Sequence, residues 1–142
     1  MHSLPHSATI VYYIHGFNSS PQSHKAQVLA QAMAELGLSE QYRVPALSYD
    51  PERNIQLLEE SIRASLQTEP KDNVVLVGSS MGGFYSAFLS QKYGLKAALV
   101  NPVVDAANLL ETHIGELTND YTGERYEMSE SDLEVYRKLT LQ

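Results

Sequence analysis

The 142-residue sequence contains no cysteine and no tryptophan. The first absence excludes a disulfide scaffold, a thiolate zinc site and a cysteine nucleophile together. Positive charge is also scarce: 10 lysines and arginines stand against 17 acidic residues, giving a net charge of −7 and a pI near 5.1. Phosphate backbones and anionic bilayers demand a basic surface, so neither nucleic acid nor a membrane is expected as the main partner. No apolar run approaches the ~18 residues of a membrane span, and MHSLPHSA at the N-terminus lacks the basic start and apolar stretch of a signal peptide. The five histidines are scattered without ligand spacing, so no metal is expected. These absences leave an acidic, soluble, cytoplasmic globular protein as the expectation. A chain of this length buries roughly 68–70% of its unfolded surface, enough for one domain spanning 1–142.

What is present alternates between two patterns. Ala8–Ile14 (ATIVYYI) is β-branched and aromatic and stops at His15-Gly16, as a buried strand does. Ser20-Pro21 reads as a helix cap followed by proline at the first helical position, and Ala26, Leu29, Met33 and Leu36 form an apolar stripe before Gly37. Tyr42–Tyr49 reads as a weaker strand, held to an edge by Pro45. Asp50-Pro51 repeats the cap signal ahead of Ile55, Leu58, Ile62 and Leu66. Asn73–Val77 is the strongest strand, apolar on both faces. A helix over Gly82–Tyr93, closed by Gly94, and a strand over Lys96–Val100 follow. The β-α-β-α-β-α-β order predicts a three-layer α/β/α fold. Its mostly parallel sheet has about four strands in the order 2-1-3-4. Beyond Asp105 the pattern breaks: residues 106–113 suggest a helix, Gly115–Ser131 is polar and turn-rich, and Ser131–Leu139 suggests a last short helix.

Chemistry concentrates at Gly78-Ser79-Ser80-Met81-Gly82, a Gly-x-Ser-x-Gly match. At about 7% frequency per fixed residue, a chain this long matches by chance about 5% of the time. The context adds more, because an apolar strand enters the motif and a helix leaves it, as a nucleophile elbow requires. Ser80 is therefore the expected nucleophile, and Gly78 and Gly82 are the positions where a Cβ would meet neighbouring backbone. The motif lacks the lysine of a phosphate loop and the glycine spacing of a dinucleotide fingerprint. Acyl transfer also needs two N–H donors facing a developing oxyanion. The amide of Met81 is the expected first donor. The second is expected from the loop after the first strand, at Phe17, with Gly16 keeping that loop free of a side chain. His15 is expected to bond backbone within its own loop, since an acid–base role would invert the usual Ser, Asp, His order. Among the aromatics, Phe17 and Tyr85 are the two expected near a substrate.

Three stretches together resemble one family: YYIHGFNSSPQSHKA (12–26), VLVGSSMGGFYSAFLSQKYGLKAALVNPVV (75–104) and NDYTGERY (119–126). They are similar to the YqiA family of small bacterial α/β-hydrolase-fold esterases, from residue 9 to about residue 136. The resemblance implies Ser80 as nucleophile and carboxylic esters as substrates, with acyl-thioesters a related class. It also implies a small-molecule acyl ester as the partner and neither metal nor organic cofactor. The family places its acid and histidine on two further β-α units, which would follow Gln142, so the sequence reads as the N-terminal part of a longer protein. Within the chain, Asp105 and His113 are the remaining triad candidates, but eight helical residues separate them by about 12 Å. Residues 105–140 then read as a cap-like or helical excursion. The fourth strand is left as an apolar edge that offers a homodimer contact. A catalytically silent module that binds an acyl ligand or a partner is the alternative, and an acyltransferase on the same serine is a third reading.

Overall fold

A computed structural model describes residues 9–16, 19–111, 114–119 and 123–140. Strands β1 (Ile10–Ile14), β2 (Tyr42–Arg43), β3 (Val74–Ser79) and β4 (Lys96–Val100) form one sheet in the order β2-β1-β3-β4. All three pairings are parallel, with Val11 opposite Tyr42, Ile10 opposite Val74 and Val75 opposite Lys96. Helices α1 (His24–Glu35), α2 (Pro51–Thr68) and α3 (Met81–Tyr93) make the crossovers. Right-handed connection through this strand order puts α1 on one face of the sheet and α2 with α3 on the other.

The two faces are covered unequally. Ile10, Tyr12 and Ile14 alternate along β1 toward α2 and α3, where they join Leu58, Ile62, Val74, Leu76 and Leu89 in the core. The Tyr12 hydroxyl donates to Ser61 O at 3.0 Å and meets Ser65 Oγ at 2.7 Å, tying β1 to α2. On the other face Val75 and Val77 are only half-buried, Val28 of α1 is 54% exposed, and all five residues of β4 are exposed. Thus β3, expected to be apolar on both faces, is sealed fully on one.

Several local signals form as expected. Asp50 caps α2, its carboxylate accepting the N–H groups of Glu52 and Arg53, with Pro51 in the first turn. Gly37 and Gly94 take positive φ after α1 and α3. Other expectations are corrected. Helix α1 starts at His24 and not at Pro21. The Ser20 hydroxyl accepts the Gln22 N–H and the Ser20 carbonyl accepts the Ser23 N–H, which folds 20–23 into a turn. Ser23 is the cap, accepting the Ala26 N–H. Leu36 ends that helix 70% exposed instead of continuing its apolar stripe. The edge strand β2 stops at Arg43, before Pro45.

The segment after β4 differs most. It holds a short helix α4 (Ala106–Leu110), an antiparallel hairpin of β5 (Gly115–Thr118) and β6 (Arg125–Met128), and helix α5 (Glu130–Leu139). The hairpin lies where the sequence suggested polar turns. Tyr126 and Met128 point inward while Arg125 and Glu127 stay exposed, a period-two pattern hidden among acidic residues. Leu110, Met128, Leu133 and Tyr136 extend the α2–α3 core. A capping box at Ser129 and Asp132 starts α5. Replacing the α2 cap, Asp50→Ala, is expected to cost about 1 kcal/mol in urea unfolding, whereas Asp50→Asn retains most of it.

Candidate active site

Ser80 sits between β3 and α3 at φ 58° and ψ −119°. A non-glycine residue in the positive-φ region costs on the order of 1–3 kcal/mol and persists only where its surroundings hold it. Here they hold it from the neighbouring strand. The Ser80 N–H donates to Val100 O at 3.1 Å, and its carbonyl accepts the N–H of Val103 at 2.9 Å and of Gly83 at 3.0 Å. The side chain is exposed at the carboxyl end of the sheet and makes no capping bond to α3. Met81 follows as the first residue of α3, in the turn whose N–H groups have no acceptor within the helix.

Glycines let backbone approach backbone around this turn. A Cβ on Gly82 would lie 1.8 Å from the Ile14 carbonyl oxygen, and one on Gly78 would lie 2.4 Å from Gly82 O and from Ser86 Oγ. No real Cβ occupies such positions, so α3 rests directly on the end of β1. Gly16 is less constrained, since a Cβ there would meet Ser79 O and the Ser80 Cβ at 3.4 Å. Ser86 Oγ is fully buried beneath the turn with no hydrogen-bond partner among the described residues.

His15 leaves β1 buried, with both ring nitrogens engaged. Nε2 accepts the Leu47 N–H at 2.9 Å, which makes Nδ1 the protonated nitrogen, 3.1 Å from Gly16 O. Burial lowers its pKa below the usual 6.5, and the bond to the Gly16 carbonyl only partly opposes that. The ring thus braces its own loop against the segment after β2. Tyr85, expected near a substrate, is 1% exposed in the core. Its hydroxyl accepts from Asn54 Nδ2 at 3.2 Å and donates to Tyr136 at 3.4 Å, and burial pushes its pKa up to about 12. Its ring and that of Tyr136 line a recess of about 20 Å³ that also touches His15 and Met81, room for about one water.

Asp105 lies at the N-terminus of α4, where its carboxylate accepts the Asn108 N–H at 3.1 Å. Phe17 and His113 lie outside the described residues. Residue spacing did not single out His24. It opens α1 and shares with Ser80 a hollow of about 210 Å³ between α1 and the sheet. Only the crossover geometry brings the two together. Among the described residues, no group of acids and histidines could hold a metal.

The model of an uncharacterised protein family, UPF0227, matches residues 10–142. The chain belongs to this family, the YqiA family. Solved structures share its fold. Mouse alpha/beta hydrolase domain-containing protein 10 superposes with a TM-score of 0.60 at 17% identity, over 92% of this chain and 61% of that one. A structure of the metagenome-derived lipolytic enzymes LipS and LipT gives 0.60 at 16% identity, over 97% and 72%. The HSL-homolog EstE7, from a metagenome library, gives 0.53 at 21%, over 91% and 48%. The chain thus spans about three-fifths of the mouse structure and less than half of EstE7, with the α/β-hydrolase fold common to all. No helix among the described residues is long and apolar enough to cross a membrane.

Two outcomes follow for this family member. Gly82→Ala is expected to destabilise by about 3 kcal/mol or more, read as urea midpoint, because the obstacle is backbone that cannot turn aside. His15 stabilises as neutral imidazole. Its contribution is complete above pH 6.5 and is lost as pH falls through its lowered folded value. Melting temperature is therefore expected to drop between pH 7 and pH 5, with a shallower slope in His15→Gln, which keeps an acceptor for Leu47 but cannot titrate.

Proposed function

We propose that the chain carries the nucleophile and oxyanion-binding part of a serine ester hydrolase. The observation carrying this reading is the Ser80 turn: a strained, exposed serine at the carboxyl end of a parallel strand, held by backbone bonds and followed at once by a helix N-terminus. That arrangement fits the nucleophile elbow of acyl-transfer enzymes. In this reading Ser80 Oγ bonds to the acyl carbon of a carboxylic ester, or of the related thioester. The developing oxyanion is met by the amides of Met81 and Phe17. The bond to the leaving group breaks, and the Ser80 proton passes through a general base to the departing alcohol or thiol. Water then adds to the acyl-serine, releasing the acid and restoring Ser80. No metal or organic cofactor enters these steps.

The base is the open element. His15 does not serve, because both of its nitrogens are engaged away from Ser80. His113 with Asp105 is the in-chain pair that could supply it. One observation favours the silent module instead: β4 lies at the edge of the sheet with all five residues exposed, able to pair with a second copy or another partner.

A fluorophosphonate probe, read by intact mass, separates the two. Labelling of the wild type that vanishes in Ser80→Ala is the expected result. A wild-type chain that stays unlabelled, with ligand or partner binding unchanged in Ser80→Ala, would favour the module.

A further inference from the structure

Arg125 and Arg137 pair with carboxylates, and Arg63 bonds the Tyr93 hydroxyl, which itself donates to Glu59. Arg43 and Arg53 have no carboxylate within ion-pair distance among the described residues. Both line one cleft of about 910 Å³, on the α2 side of the sheet and away from the Ser80 hollow. A cleft of that size is within the range of small-molecule sites.

The cleft exists because the edge strand ends early. β2 stops at Arg43, and the chain runs on past Pro45 until Leu47 and Ser48 are pinned by His15 Nε2 and Asn54 Oδ1, at 2.9 and 2.7 Å. Val44, Pro45 and Ala46 between these points form one wall. The other wall is a single stripe of α2, in which Arg53, Leu57, Ser61 and Ser65 recur every four residues. Leu57 is 38% exposed on it.

One end of the cleft is built for an anion. Tyr42 turns toward α1, its hydroxyl donating to Ala26 O at 2.8 Å, so the next residue, Arg43, faces the α2 side. One nitrogen of its guanidinium donates to the Glu40 and Tyr42 carbonyls, which fix the group without neutralising it and leave its other N–H groups for a ligand. Across from it the Tyr12 hydroxyl donates to Ser61 O, so Ser65 Oγ is the donor in its 2.7 Å contact with Tyr12. The Ser61 hydroxyl stands outside that relay and can donate into the cleft. At the other end Arg53 is flanked by Asp50, whose carboxylate accepts the Arg53 N–H, and by Glu124 on the rim.

We propose that this cleft binds an elongated organic acid, with its carboxylate on Arg43 and the Ser61 hydroxyl and its apolar body between Leu57 and Pro45. Arg53 precedes Ser61 by eight helical residues, roughly 12 Å along α2, so the two arginines mark opposite ends and do not converge on one anion. A single guanidinium matches the two oxygens and one charge of a carboxylate. A phosphate dianion would lack a second cation in a chain of net charge −7. The Ser80 hollow lies on the α1 side, so binding here is independent of whether Ser80 is a nucleophile.

Isothermal titration calorimetry with decanoate, kept below micelle formation, is expected to show a single site in the wild-type chain. Arg43→Gln is expected to weaken binding about tenfold, and Arg43→Lys, which keeps the charge but not the fork, less than that. Leu57→Glu puts a carboxylate beside the apolar body at a partly exposed position and is expected to abolish binding. Arg53→Gln, and Val28→Glu on the apolar strip beside Ser80, are expected to change affinity less than about twofold. Decyl phosphate and 1-decanol are expected to bind more weakly than decanoate. A wild type that does not bind decanoate, an affinity unchanged in Arg43→Gln or lost in Val28→Glu, or equal or tighter binding of decyl phosphate or 1-decanol would each overturn the proposal.

Discussion

The close approach of α3 to the end of β1 governs the rest of this structure. Gly82 lies so near the Ile14 carbonyl that a Cβ would fall 1.8 Å from its oxygen, and a Cβ on Gly78 would lie 2.4 Å from the Gly82 carbonyl oxygen in the first turn of the helix. Strand, turn and helix can pack this tightly only where side chains are missing. The tightness in turn forces Ser80 to positive φ. The strain persists because Val100 and Val103, on and just beyond β4, hold both ends of the Ser80 peptide. Exposure of the serine hydroxyl is thus a result of backbone packing, reached before any partner side chain is considered.

Around that contact the core grows to one side. The face toward α2 and α3 continues into α4, the β5–β6 hairpin and α5, with Phe84, Tyr85 and Tyr136 in edge and tilted contact. Several polar groups within it are paired. Asn54 bonds Ser48 three times and donates to the Tyr85 hydroxyl; burial raises the pKa values of Tyr85 and Tyr136, and the Asn54 bond partly opposes this at Tyr85. The opposite face has α1 alone. There an apolar strip made by Val28, Leu29, Val77 and Val100 runs up to the hollow beside Ser80. The molecule is closely packed behind its serine and more exposed in front of it.

Much of this was legible in the residue order. The four-strand order, the bounds of β4, the Asp50-Pro51 start of α2 and the strand–turn–helix around Ser80 all rest on local signals: β-branched runs, caps and glycines. Where local signals competed, tertiary context chose between them. Ser20 reads as the cap, but the turn it closes passes that role to Ser23. The hairpin escaped notice because its alternation is only four residues long on each strand and most of its outward positions are charged. The inward placement of Tyr126 and Met128 becomes visible only once a core lies beneath them. Tyr85 shows the same limit: an aromatic five residues after Ser80 looks like a substrate contact, but helix rotation turns it toward Asn54 and Tyr136.

By itself the sequence determined the sheet, the crossovers and the place of the serine turn, because these depend on which residues can be extended, capped or stripped of a Cβ over spans of a few positions. Only the tertiary structure decided what meets at that turn. The Asn119–Ser19 bond, the Tyr49–Tyr126 stack and the brace from His15 to Leu47 join residues from 32 to 100 positions apart. No local pattern encodes such distances. They follow from strand order and helix handedness, which bring separate loops to one end of a single sheet.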